Sequence, residues 1–255
     1  MKKGQKLWTK NELILAINLY CKLPFGKLHR GNPEIIRLAN LINRTPSSVA
    51  YKLVNFASLD PSLQARGIKG ASNASKLDKV VWDEFYLNWE EAAYESEKLL
   101  ANFEKRSFAD VEKSEDFSPK EGKEKESKIK TRINQSFFRK TILASYNYRC
   151  CITGINIPEM LVAGHIRPWS IDEKNRLNPR NGLAMNNLHD KAFENGLLTI
   201  TTSYEILISR ELKKSKNKAI SEYFSKYDRK QIILPTKFLP DPEFLKYHND
   251  ERFKK

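Results

Sequence analysis

The sequence predicts an α+β protein in two parts: an all-helical, helix-turn-helix-like N-terminal domain, then a domain ordered strand, strand, loop, helix. Three observations predict this. Capped stretches with apolar residues at helical spacing fill the first ninety residues. Residues 111–130 carry six basic and six acidic side chains and almost nothing apolar. After Tyr148, short apolar runs alternate with turn residues. The expected division is 1–108, a charged linker at 109–130, and 131–255.

In the first part, Thr9 and Glu12 form a capping box ahead of LILAINLY. Asn32-Pro33 opens a second helix, PEIIRLANLIN, whose apolar stripe is Ile35, Ile36, Leu38, Ala39, Leu41 and Ile42. Only Asn43-Arg44 separates it from Thr45-Pro46, which opens PSSVAYKLVNF. Two helices joined so tightly make a helix-turn-helix candidate. Val49, Leu53 and Val54 would face the preceding helix. Ser47, Ser48, Tyr51, Lys52 and Asn55 would point outward, where small polar and basic groups reach bases or phosphates. A packing hairpin that never touches DNA has the same pattern. Trp82, Phe85, Tyr86 and Trp89 fall at helical spacing and read as a buried stripe closing the domain.

The 255 residues carry 45 Lys+Arg against 31 Asp+Glu, a net of +14. Residues 1–110 contribute +5, residues 111–130 zero and residues 131–255 +9. Such a surplus favours a polyanionic partner. Pro119 and Gly122 argue against one continuous helix through the neutral stretch, hence the linker reading. No run approaches the roughly 18 apolar residues of a membrane helix. MKKGQKLWTKNE starts positive without an apolar core behind it. Three cysteines, two of them adjacent, cannot build a disulfide scaffold, so a reducing cytoplasm is expected.

The second part holds the chemistry. CCIT and MLVAGHI read as two strands paired across a turn with Gly154, Asn156 and Pro158, delivering His165 to an exposed end. Pro168 stops the strand. A polar loop follows with Asp172, Asn175, Arg176, Asn178 and Pro179. GLAMNNLHDKAFENG reads as one helix with Leu183, Met185, Leu188, Ala192 and Phe193 inward, ended by Gly196. LLTI and YEILIS make a further hairpin.

These residues resemble the HNH endonucleases of ββα-metal fold, in the branch with an AHIxPW signature found in restriction-type nucleases. An aromatic-Arg-Cys and ITG, then GHIRPW, then RLNPRNGL and LHDKAFENGLLTI carry the resemblance over about fifty residues. It implies a metal-dependent nuclease acting on double-stranded DNA, in restriction or phage defence, leaving 5′-phosphate and 3′-hydroxyl ends. His165 would be the general base, Asn181 would hold the loop bearing it, and His189 would be a metal ligand. Mg²⁺, or Mn²⁺ in its place, would stabilise charge on the phosphate. Arg167, Arg176 and Arg149 would contact DNA.

Two departures stand out. Gly164 occupies the place where many such enzymes carry an acidic or His ligand, making Glu194, and more weakly Asp172, the candidate for that ligand. Paired CxxC motifs for a structural zinc are missing; Cys150 and Cys151 read instead as small apolar residues on the first strand. His29 reads as a surface or DNA-backbone contact, and His248 as packing for the C-terminal segment. Cutting both strands implies a homodimer or two sequential events. The competing readings are a non-catalytic helix-turn-helix regulator and a nonspecific or RNA-directed toxin nuclease.

Overall fold

The computed structural model describes residues 6–67, 74–106 and 123–255, with side chains from 128 in the last stretch. The chain divides into two compact units, Met1–Phe137 and Phe138–Lys255. The described residues are helix-rich, with two small antiparallel sheets among them. Among the described residues no helix is long and apolar enough to cross a membrane.

The first unit packs α1 (Lys10–Lys22), α2 (Pro33–Leu41), α3 (Pro46–Leu59), α4 (Pro61–Ala65), α5 (Lys76–Leu87) and α6 (Trp89–Phe103). The Thr9/Glu12 capping box forms as the sequence predicts. Asn32 and Thr45 cap α2 and α3 with proline at the first turn of each. Between them Asn43 takes a left-handed φ of 51° and the Arg44 amide returns to the Ala39 carbonyl at 2.8 Å. This closes α2 in the manner of an Asn that tolerates that conformation. Leu13, Ile17 and Tyr20 of α1 meet a core that includes Ile35, Leu53, Phe56, Trp82, Phe85 and Trp89. Trp89, however, begins α6 instead of ending the helix that bears Trp82.

On α3, Ser47 and Tyr51 are exposed and Ser48 is half-buried. Lys52 and Asn55 are not outward as expected: both are buried. Their helical face meets α5, where the Lys52 ammonium lies 2.9 Å from both carboxylate oxygens of Asp78 and the Asn55 amide donates to the same group. Asp78 is itself fully buried and caps α5 through Ser75. A buried carboxylate requires such a partner, and that requirement turns the face inward.

Residues 109–122 of the expected linker lie outside the described residues. Residues 123–130 begin α7 (Lys123–Ser145) directly after Gly122. The second unit pairs β1 (Leu161–His165) with β2 (Gly182–Asn186), setting Gly164 opposite Leu183 and His165 opposite Gly182. Next come α8 (Asn187–Glu194), β3 (Leu198–Ile200) and β4 (Ile206–Ile208), then α9 (Arg210–Lys214), α10 (Lys218–Tyr223) and α11 (Pro242–Tyr247).

Two expectations need correction here. CCIT is a turn, not a strand: the Cys150 amide reaches the Ile155 carbonyl, and the Cys150 Sγ accepts the Thr153 and Asn186 amides. The true partner of β1 is GLAMN, which the helical reading had absorbed. All five of its residues are buried, the continuous apolar run of a strand covered on both faces. Asn186 then caps α8 by accepting the His189 amide at 2.9 Å. The order is strand, loop, strand, helix. The second hairpin forms as read, with Ile200 opposite Ile206.

Candidate nuclease site

β1 ends where the site begins. His165 stacks flat on Phe138 of α7, ring centroids 4.2 Å apart, and meets the edge of Trp169. Its Nε2 lies 2.8 Å from the Arg176 carbonyl. A carbonyl only accepts, so Nε2 carries the proton and Nδ1 is left with the lone pair. Burial holds the imidazole below its ordinary pKa, against the opposing pull of the Arg176 carbonyl. The ring is therefore neutral at pH 7 and able to take a proton.

The loop presenting that carbonyl is held by Asn181, which is fully buried. Its Oδ1 accepts the Arg167 amide at 2.8 Å, and its Nδ2 donates to the carbonyls of Arg167 and Asn175, each at 3.2 Å. One side chain thus fixes both ends of the segment that follows His165. Within the loop, Arg167 pairs with Asp172 at 2.9 Å and lies over the Tyr247 ring. Burial pushes the Asp172 carboxyl up, but hydrogen bonds from Asn175 and Arg167 prevail and hold it below the usual range. Asp172 is thereby committed to the loop. Arg176 donates to the Trp169 carbonyl and to Glu173. Both arginines are spent first on shaping the loop. Arg149 is exposed, and its side chain makes no ion pair among the described residues.

Gly164 explains its own departure from the expected pattern. A Cβ there would lie 2.2 Å from Asp190 Oδ1 and 2.9 Å from Met185 Cε. The space an acidic side chain at 164 would use is filled by a carboxylate reaching in from α8. Asp190 is half-buried. Burial, reinforced by the nearby Glu194 charge, raises its pKa from 3.8 to about 6. Asp190 and Glu194 are one turn apart on the same face of α8. Glu194 is exposed and pairs with Lys191 at 2.8 Å. Sequence reasoning missed Asp190; the available signal was a glycine where an acid belongs, with an i, i+4 acidic pair on the following helix.

His189 does not face that space. It is buried, with Nδ1 2.9 Å from Asn186 Oδ1 and Nε2 2.7 Å from the Tyr223 carbonyl. Burial and the Lys226 charge hold its pKa below the ordinary value. Nε2 donates to the Tyr223 carbonyl and Nδ1 lies against Asn186 Oδ1, so the expected role as ligand would require the ring to leave these contacts.

Among the described residues no three His, Cys, Asp or Glu side chains cluster as a cage. A hard cation such as Mg²⁺ does not demand one; it binds through one or two carboxylates, with water and phosphate oxygens completing the shell. Asp190 and Glu194 fit that donor set, and a cation would relieve the Glu194 repulsion that adds to burial in raising the Asp190 pKa.

The sequence profile of the HNH endonucleases matches residues 150–201. The chain carries an HNH endonuclease domain. The match spans 52 of the 255 residues, and in that stretch the chain is similar to phosphodiester-hydrolysing enzymes that act on nucleic acid and generally use divalent metals. The matched stretch runs from the Cys150 turn through β1, the Asn181-anchored loop, β2 and α8 to β3. All the candidate groups of this HNH domain lie within it except Arg149. No curated protein matches the chain.

Proposed function

We propose that the HNH domain cuts double-stranded DNA in a restriction or phage-defence setting, as the branch with the GHIRPW signature implies. The observation that carries this reading is His165, with Nε2–H given to the Arg176 carbonyl and Nδ1 left basic. Neutral His165 takes a proton from the attacking water. Asn181 keeps the imidazole and the Arg176 carbonyl in register. Asp190, helped by Glu194, would hold the cation beside Gly164. A divalent ion bound there, Mg²⁺ or Mn²⁺, supplies Lewis-acid stabilisation of charge on the phosphate and leaving oxygen. His189 positions α8 instead of ligating.

The helical unit is read as the target-holding part. Its α2–α3 pair has helix-turn-helix connectivity, and Ser47, Ser48 and Tyr51 supply the outward contacts. The three cysteines are buried and free, which suits a reducing cytoplasm. Cleavage of both strands would then come from a homodimer or from two successive nicks.

The test is incubation of methylated and unmethylated plasmid with the protein in Mg²⁺, Mn²⁺ or EDTA, followed by sequencing of the ends. Cleavage in metal and none in EDTA is expected, with His165→Ala inactive yet still binding DNA. An active His165→Ala protein would remove the general-base assignment.

A further inference from the structure

Between β4 and the bridge of Gln231 to Glu205, residues 210–230 make an excursion that returns to β4 through Asp228, Arg229 and Lys230, which bond to Ile206 and Ile208. It holds eight basic residues against three acidic ones, a net of +5. That is more than half the +9 of residues 131–255. Only Leu212 and Phe224 are buried in it, while all eight cationic side chains are exposed. Lys213 pairs with Asp228 and Lys218 with Glu222. Arg210, Lys214, Lys216, Lys226, Arg229 and Lys230 make no ion pair among the described residues. Six unpaired cations against the one unpaired carboxylate of Glu211, on 21 residues, repel one another. Solubility alone would be served by mixed signs.

The excursion is fastened beside the site. The Tyr223 carbonyl accepts from His189 Nε2 at 2.7 Å, and the His189 ring packs on Phe224 and Tyr227 with centroids 5.2 and 5.7 Å away. His189 immediately precedes Asp190. The middle of the cationic segment is thus tied to the helical turn that carries the site's carboxylate.

We infer that residues 210–230 are a docking surface for the sugar-phosphate backbone of the DNA duplex flanking the cleaved bond. This rests on the nuclease reading and names the surface that holds its substrate. Duplex DNA presents about one charge per 1.7 Å, a spacing that rewards a run of cations over a single pocket. Six of the eight cations are lysines, point charges that grip phosphate without reading sequence. An anionic membrane is the poorer match. Its ligands are amphipathic helices with a broad apolar face, whereas α9 and α10 span five and six residues and bury only Leu212 between them.

The experiment uses the full chain in a His165→Ala background, without metal, to measure duplex affinity across a salt series. Lys214→Gln, Lys216→Gln, Lys226→Gln and Lys230→Gln are combined in one protein. Each lost phosphate contact should lower the slope of log affinity against log salt by about 0.9, so the slope should fall by roughly 3 to 4. In a protein with His165 restored, the loss should appear mainly in KM. An unchanged slope in a protein whose parent still cleaves DNA overturns the inference and leaves the nuclease reading intact. A parent that never cleaves defeats the nuclease reading instead. Loss of binding to anionic phosphatidylserine vesicles with duplex affinity unchanged would assign the surface to a membrane and also overturn the inference.

Discussion

Replacing Asp190 by Asn should stabilise the metal-free protein while it destroys cleavage. The Asp190 carboxyl titrates near pH 6 in the folded protein against 3.8 as the ordinary value. Between those two pH values the folded state holds a proton that the unfolded state has lost, so stability falls as pH rises. The contribution is fully present below about pH 4 and gone once pH passes about 6. A two-unit shift corresponds to about 3 kcal/mol. Because part of the carboxylate is solvated, about 1–2 kcal/mol is the reasonable expectation after screening. Asn keeps the shape beside Gly164 and removes the charge. Urea unfolding in EDTA at pH 4, 5.5 and 8 gives the measurement. Wild type and variant should nearly coincide at pH 4 and diverge in the variant's favour by pH 8. The buried histidines change stability in the opposite sense, losing it as pH falls, but they are common to both proteins and cancel in the difference. Cleavage in Mg²⁺ should fall at least a hundredfold. If the two pH profiles run parallel, the carboxylate is not held against its charge and the metal assignment loses its physical basis.

Other expectations follow from the same geometry. The acid limb of kcat/KM should appear below about pH 6, since His165 must be neutral and Asp190 ionised; a rate rising toward pH 5 would refute both roles. Asn181→Ala leaves the Arg167 amide and two carbonyls without their buried partner, so a loss of about 2–4 kcal/mol should show in thermal unfolding. Gly164→Ala places a methyl against Asp190 Oδ1 and should cost about 1–3 kcal/mol while weakening Mg²⁺ dependence, read by metal titration of cleavage. In the helical unit, Lys52→Met strips the buried Asp78 of its cation and should destabilise by about 3–5 kcal/mol, measured by denaturation; a neutral effect would mean Asp78 is satisfied by Ser75 and Asn55 alone.

Much of the fold could be read before any coordinates, because its signals are local. Thr9, Asn32 and Thr45 cap helices through hydrogen bonds made within three residues, and the residues around His165, Asn181 and His189 lie in matching order along 52 residues. Where the reading failed, the deciding partner was distant in sequence. GLAMN has apolar spacing that suits a helix, but it pairs with β1 and is covered by α8 and by Phe138 and Ile142 of α7. The overlooked local clue was Asn186, a capping residue in the middle of the supposed helix. Lys52 and Asn55 look like an outward basic face until Asp78, 26 residues beyond Lys52, is placed beneath them. His189 and Asp190 are neighbours whose directions no periodicity distinguishes, since which faces Gly164 depends on how α8 settles against the hairpin.

The closure of α8 has a consequence in time. Gly196 takes a φ of 69°, and the chain passes so near that a Cβ there would lie 2.0 Å from the Arg252 carbonyl oxygen. The Lys254 amide reaches the Gly196 carbonyl, His248 Nε2 meets the Phe193 carbonyl, and Arg252 donates to the Glu194 carbonyl 58 residues upstream. The helix bearing Asp190 is therefore finished by backbone that is translated well after it. At ordinary elongation rates that delay is roughly 3–12 s. Once residues 210–230 are made, a nascent chain exposes them while it still lacks the last supports of its cutting site. Ribosome-bound fragments are thus expected to grip nucleic acid before they can cleave it.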